Sequence, residues 1–525
     1  MPDHSPSLVE IVDFISHAES QFPVQEWTID GLAVWPIVRI HVAFSLIALV
    51  YAETDNQVSR NQEFWHRSRG IARSLAKLIT ARHRDSRHNA RIRPADVAFL
   101  ITASARFFKV EGEWYQPYSD SFIKYLNDYG LASLSLEVAS DGEYRIPRYR
   151  KSFFIQHRIY LLALMAVLKS RFMAPGNERL EGFTEFLAQL KSRFGYEGFN
   201  LKSLRRRVSQ VFLYRDLYRR YLLKIRPSVG INDGYYALEA MGFSLACREL
   251  NILSIEIQHG VQGKNHFAYR TWSKFPTQGY ALLPNIFWCW NEEDCQNIRE
   301  WTNRIRDYHW PVTGGNPCLQ IFSKRGEDLL SSLSGSFGQD RAGTLHILFT
   351  LQSFYELPTF LIEAVRNSPS EWVWLFRVHP QYWETREVVR KTITEEGLTN
   401  CLIEEASDVP LGVLLQRVDV HVTEFSSSVL EAHSMGVYSV VINQKGADLY
   451  GEKIRQGIVL EAYDSKKLIE SILVQSRKRL PTGQNGRQNS ALFREAVERV
   501  IIANALPKQR MITESEDQPI ERRGT

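Results

Sequence analysis

The sequence predicts an α/β fold built from two parallel-sheet units, and three observations carry that prediction. Short apolar runs alternate with helix-period stretches over residues 228–302 and again over 345–442. A Gly- and Ser-rich stretch around 323–344 separates the two series. The length, 525 residues with 44% hydrophobic and 23% charged, allows a sizeable core and more than one domain. Strands alternating with helices imply parallel sheets with helices on both faces. Each series therefore reads as a Rossmann-like domain, and the two face a cleft.

Residues 1–93 read as an N-terminal helical region. Its most apolar segment, 31–52, is interrupted by Arg39 and His41, and its longest run without Asp, Glu, Lys or Arg is the thirteen residues 40–52. A membrane span needs about 20 such residues, so a buried helix is predicted. The first Rossmann-like domain, 94–322, begins with a strand at 97–102. A helix at 119–129 follows, with Phe122, Ile123, Leu126 and Tyr129 on one side and Gly130 as its stop, and then a strand at 131–136. Residues 153–225 read as a mostly helical insertion. Strands at 228–232, 252–258 and 285–290 then alternate with helices at 236–250 and 292–302. The second domain, 345–504, has strands at 345–350, 372–378, 418–423 and 437–442, with helices starting near Pro358, Trp383 and Ser427. Residues 505–525 are polar with Pro and Gly, and are predicted to be a disordered tail.

The net charge is only +5, which excludes a dedicated nucleic-acid binder. It hides two basic segments: residues 60–93 and 202–226 each carry +8, leaving the remainder at about −11. Such segments suit an anionic ligand, an anionic membrane face, or simply solvated helix surfaces. The five cysteines are an odd count without CxxC spacing, which predicts a reduced cytosolic compartment and no zinc site. The opening Met-Pro-Asp-His does not read as a signal peptide. No HExxH, GxSxG, GxxxxGK[ST] or full GxGxxG is present, so zincin, α/β-hydrolase, P-loop and dinucleotide-dehydrogenase readings lack motif support.

Parallel sheets bind ligands beyond the carboxyl ends of their strands, so the residues that directly follow strands carry the functional reading. At Asp419–Ala432 an apolar strand ends at Thr423, and Ser426, Ser427 and Ser428 lead into a helix. Hydroxyls and free backbone N–H groups in that position suit a phosphate, and ordinary capping needs one serine only. Glu431, within the first turn, is placed to accept from ribose hydroxyls. The strand at 372–378 delivers Arg377 and His379 to the sheet edge, ahead of Pro380, and both can donate to phosphate or ribose oxygens. In the first domain the strand at 252–258 empties into a His259-Gly260 loop, where the imidazole is a candidate general base. Asp233, in Asn232-Asp233-Gly234, is the competing base or the partner that orients His259. Gly314 and Gln352 are lesser candidates for ligand contact and read first as turn residues.

These elements together resemble the two-domain GT-B glycosyltransferases of bacterial capsule and lipopolysaccharide synthesis, and are related in pattern to the CDP-glycerol glycerophosphotransferases. The resemblance rests on Gln258-His259-Gly260, Arg377-Val378-His379-Pro380 and Asp419 through Ser428, in that order, within residues 225–475. The segment 31–39, with its Trp35-Pro36, is similar to one found in surface-carbohydrate proteins. The resemblance implies a GT-B-like fold and an inverting, metal-independent glycosyltransferase with no cofactor. Its donor would be a CMP-, CDP- or UDP-linked sugar, held by Arg377, His379, Ser426, Ser427, Ser428 and Glu431. His259 or Asp233 would take the proton from a saccharide or lipid-linked saccharide acceptor. The expected location is cytoplasmic, with peripheral contact at the inner membrane face through the basic segments. Alternatives are a nucleotide-sugar epimerase or hydrolase of the same fold, a polyol-phosphate transferase with a CDP-linked donor, and a non-catalytic carbohydrate-binding protein.

Overall fold

The structure, a computed structural model, describes residues 8–54, 79–83, 85, 91–106, 108–139, 145–169, 177–264, 266–319, 344–351, 357–379, 385–403, 406–407, 409–480 and 484–506. The basic segment 60–93 lies largely outside the described residues, as do Gln352, Pro380 and most of the expected tail.

Two parallel sheets organise the chain. The first has seven strands in the spatial order Trp310–Thr313, Ile286–Cys289, Leu253–Ile257, Val229–Asn232, Val97–Thr102, Ser133–Val138 and Phe153–Phe154. The second has six, in the order Cys401–Leu402, Val373–Arg377, His346–Thr350, Val420–Thr423, Tyr438–Val441 and Val459–Glu461. Every pairing within both sheets is parallel. Their strands are buried on both faces, which accounts for near-continuous apolar runs such as Val97-Ala98-Phe99-Leu100-Ile101. Each sheet has one place where the chain reverses its direction of travel across it. That switch point lies between Val97–Thr102 and Val229–Asn232 in the first sheet, and around His346–Thr350 in the second. The crevices that such reversals open are the binding positions of open α/β sheets.

The apolar N-terminal segment forms the helix Trp35–Thr54, and no helix among the described residues is long and apolar enough to cross a membrane. Trp35 is fully buried, and its indole donates to Glu19 at 2.8 Å. Arg39, buried on the same helix, is salt-bridged to Glu19 and lies 4.1 Å over the Trp272 ring. It also donates to the carbonyls of Phe267 and Arg270, both at 3.0 Å. The Trp-Pro segment is thus a clamp on the loop 267–272. Residues 11–46 share one core with 183–211 and with 267–305, so the N-terminal region and part of the helical insertion are built into the first domain. The insertion holds the helices Gln156–Lys169, Phe183–Phe194 and Leu201–Ile225.

Residues 484–506, assigned by sequence to the second domain, share a core with the first sheet as well as with Val429, Leu430 and Tyr450 of the second domain. Phe493 lies 4.8 Å from Phe122 and 5.8 Å from Trp288, and both of those rings belong to the first sheet's core. Asn489 accepts from the backbone N–H of Asn316 at 2.6 Å and donates to its carbonyl at 3.0 Å. The hydroxyls of Tyr125 and Tyr129 donate to Glu498 at 2.6 and 2.5 Å. The glycines after Trp310–Thr313 serve this junction. A Cβ at Gly314 would fall 2.0 Å from Trp288, and Gly315, at φ +70°, faces Asn489. Gly314 is therefore a packing residue.

Candidate functional site

The carboxyl ends of the two sheets open onto one cleft, in which a cavity of about 210 Å³ is lined from both sides. His259, Pro117 and Tyr118 contribute from the first domain; Thr350, Arg377, His379, Ser426, Ser427, Ser428 and Glu431 contribute from the second. A methyl group placed on Gly260 would stand 4.0 Å from Cβ of Ser427, so the His-Gly loop and the serine loop face each other directly. Seven of the eight residues picked from sequence line this cavity. The eighth, Asp233, lies behind His259, whose ring is 3.3 Å from where a Cβ of Gly234 would be.

Asp233 sits at the first sheet's switch point because the strand Val229–Asn232 ends beside Val97–Thr102. There the backbone N–H and hydroxyl of Thr102 donate to its Oδ2 at 3.2 and 3.1 Å, and the Gln116 amide reaches it at 3.5 Å. Burial pushes its carboxyl up to about 6, against the pull of those donors. His259 is partly exposed. Its Nε2 lies 2.7 Å from the hydroxyl of Tyr236, and its Nδ1 is 3.7 Å from Oε1 of Glu256. Burial lowers the imidazole to about 4, so it is neutral at pH 7.

Glu256 lies mid-strand, completely buried, with Tyr269 donating to Oε1 at 2.5 Å. Burial raises its carboxyl to about 8, so it holds its proton at neutral pH. Asp233, His259, Tyr236 and Glu256 thus form one cluster of polar groups that shift one another's protonation. Sequence reading missed Tyr236 and Glu256. A carboxylate between two isoleucines in a strand buried on both faces was the available signal for Glu256.

The second domain's side is built from hydroxyls. Ser427 precedes the helix Ser428–Ser434 and is partly exposed in the cleft. Ser428 is tied inward, its hydroxyl 3.0 Å from that of Thr350 and 3.1 Å from Nε2 of His421. His421 is buried, lowered to about 3 by that burial, and bound on its other nitrogen by Ser439 at 3.0 Å. Ser426 accepts from the backbone N–H of Ser428 at 3.3 Å. Arg377 is buried and donates to the carbonyls of Ala406, at 2.6 Å, and of Val409. It therefore braces the loop after the neighbouring strand while lining the cavity. Burial lowers His379, with Arg377 adding to the shift. Burial also raises Glu431 to about 7, against the pull of Arg377.

A carboxyl-edge cleft between two parallel-sheet domains, with the segment after the second sheet returning to the first, is a GT-B-like arrangement. No family model and no curated protein matches the chain. Among solved structures, it is similar to UDP-GlcNAc 2-epimerase from Neisseria meningitidis bound to UDP-GlcNAc, at 13% identity and TM-score 0.47, over 77% of this chain and 99% of that one. It is similar to the Methanocaldococcus jannaschii UDP-GlcNAc 2-epimerase in complex with UDP-GlcNAc and UDP, at 11% and 0.43, over 75% and 97%. The calicheamicin glycosyltransferase CalG4 aligns at 13% and 0.39, over 81% and 98%.

Proposed function

We propose that the protein is an inverting glycosyltransferase that moves a sugar from a nucleotide-sugar donor to a saccharide or lipid-linked saccharide of a surface polysaccharide. One observation carries this reading: a single cavity is lined by an imidazole backed by carboxyls on one side and by a hydroxyl-rich loop with His379 on the other. A nucleotide phosphate lies against Ser426, Ser427 and His379, and Glu431 accepts from ribose hydroxyls. The acceptor approaches from the first domain. Asp233 or His259 takes the proton of the acceptor hydroxyl, its oxygen attacks the anomeric carbon, and the bond to the phosphate oxygen breaks on the opposite face. The phosphate leaves with the electron pair, and the hydroxyls, backbone N–H groups and His379 stabilise its charge. The exposed cations of helix Leu201–Ile225 hold the protein against anionic lipid at the cytoplasmic membrane face, each contributing about 1 kcal/mol there.

The test is thermal shift against CMP, CDP, UDP and GDP. A nucleotide at one hundred times its Kd stabilises by about 2.7 kcal/mol, and no shift with any of the four removes the donor site. Incubation with the binding nucleotide's sugar conjugate alone then separates the chemistries. Conversion without an acceptor would replace this reading with an epimerase or hydrolase.

A further inference from the structure

We propose that His41, Phe44, Arg206 and Arg207 form an outer acceptor subsite that takes a sugar ring bearing an acidic group, phosphate or carboxylate. The inference rests on the reading of the first domain as the acceptor side. It gives the helix Trp35–Thr54 a place in that site.

The subsite is continuous with the candidate bases. Tyr236, whose hydroxyl meets His259, has its ring 5.7 Å from that of Phe44, and Phe44 packs edge-on against Phe267 at 4.6 Å. Phe44 is nonetheless 43% exposed, an unusual position for an aromatic ring beside a polar cluster. Pyranose rings carry one face of C–H groups, and an exposed aromatic ring leading out of the site offers that face a partner.

One helical turn from Phe44 the chemistry becomes cationic. His41 stands three residues earlier, on the same side of the helix. Its Nε2 lies 3.1 Å from Nη2 of Arg207. Arg207 is only partly exposed, and its Nε is buried without a hydrogen-bond partner. Among the described residues no carboxylate pairs with Arg207 or with Arg206 beside it. Its neighbours on the helix differ: Arg205 is bound by Glu178, and Arg215 by Asp216 and Glu249. Arg39 and Arg106, buried elsewhere in the first domain, also hold carboxylates. Burial and the Arg206 charge push the Arg207 guanidinium down to about 10, and burial with both arginines pushes His41 down to about 3. Desolvated positive charge without a counter-ion is costly, and an anionic group supplied by a ligand removes that cost.

Titration calorimetry of the full chain with glucose, glucose 6-phosphate and glucuronate tests the subsite. The wild type should bind at least one acidic sugar about tenfold more tightly than glucose, as charge-assisted hydrogen bonds to guanidinium require. Whichever acidic sugar is preferred identifies phosphate or carboxylate as the group. R207Q should abolish the preference, R207K should keep part of it, and F44A should weaken all three sugars alike. Equal binding of the three by the wild type, or a preference retained in R207Q, overturns the proposal. Nucleotide thermal shifts on the same proteins separate the two readings. An acidic-sugar preference without any nucleotide shift sinks the glycosyltransferase and leaves the subsite standing, and the reverse result sinks the subsite alone.

Discussion

The two edges of the cleft are built from the same topology and opposite chemistry. At the first sheet, burial pulls acids and imidazoles toward each other's range: Asp233 to about 6, Glu256 to about 8, His259 down to about 4. At the second sheet the polar groups are mostly hydroxyls, and the buried imidazole of His421 is spent on holding Ser428 and Thr350 in place. The first edge gathers acids and imidazoles shifted by burial, and the second is lined mainly by hydroxyls, with His379 and Glu431 as the titratable groups beside them. The contrast teaches that the same strand-end crevice takes its electrostatic character from what is buried behind it.

The sharpest way to break this contrast is to exchange the acid at the first edge. D233N should lower kcat by about 10²- to 10⁴-fold while leaving nucleotide affinity within about twofold, checked by steady-state kinetics and calorimetry. If Asp233 is the base, the wild-type rate should rise with pH through about 6, as the carboxyl ionises, and D233N should lose that limb. Next in size is the join between the edges. F493A should destabilise the protein by about 3 kcal/mol or more in denaturant unfolding, because a buried ring in the first sheet's core is removed.

Glu256 sharpens the comparison through pH. Its folded-state value lies above that of an unfolded glutamate, so the folded chain holds the proton longer, and its contribution to stability is lost as pH rises from about 4 to about 8. E256Q should therefore gain stability relative to wild type across that window, measured as the difference in Tm at each pH. At the second edge S427A should weaken nucleotide binding about tenfold with little change in kcat, reversing the pattern of D233N. Smallest of all, Y125F should cost less than about 1 kcal/mol, since that contact with Glu498 is exposed.

Much of this was legible in the sequence. The strand Val97–Thr102 and the helix Glu292–Thr302 fall on the predicted residues because an unbroken apolar run and an Asn291 cap mark their limits. The placement of the serine loop at a strand end was legible because the strand Val420–Thr423 and the helix Ser428–Ser434 bracket it closely. The short strands Cys401–Leu402 and Val459–Glu461 were not, since two or three residues show no period. The direction in which a strand-end side chain turns was also hidden. Arg377 and Ser428 stand where expected, yet their partners come from residues about 30 and 78 positions away. The strand Trp310–Thr313 was hidden as the other short strands were, being only four residues long and abutting Gly314. Periodicity likewise shows that helix Gln484–Ala496 has an apolar face without saying which domain receives it.

That last helix sets an order for the chain's synthesis. Phe122 and Trp288 are made well before Phe493, with the whole second sheet translated in between. The first domain thus cannot close its wall as it leaves the ribosome, and an apolar patch waits uncovered while the second domain folds. A nascent chain stalled before residue 484 should be the aggregation-prone form and the natural client of a chaperone.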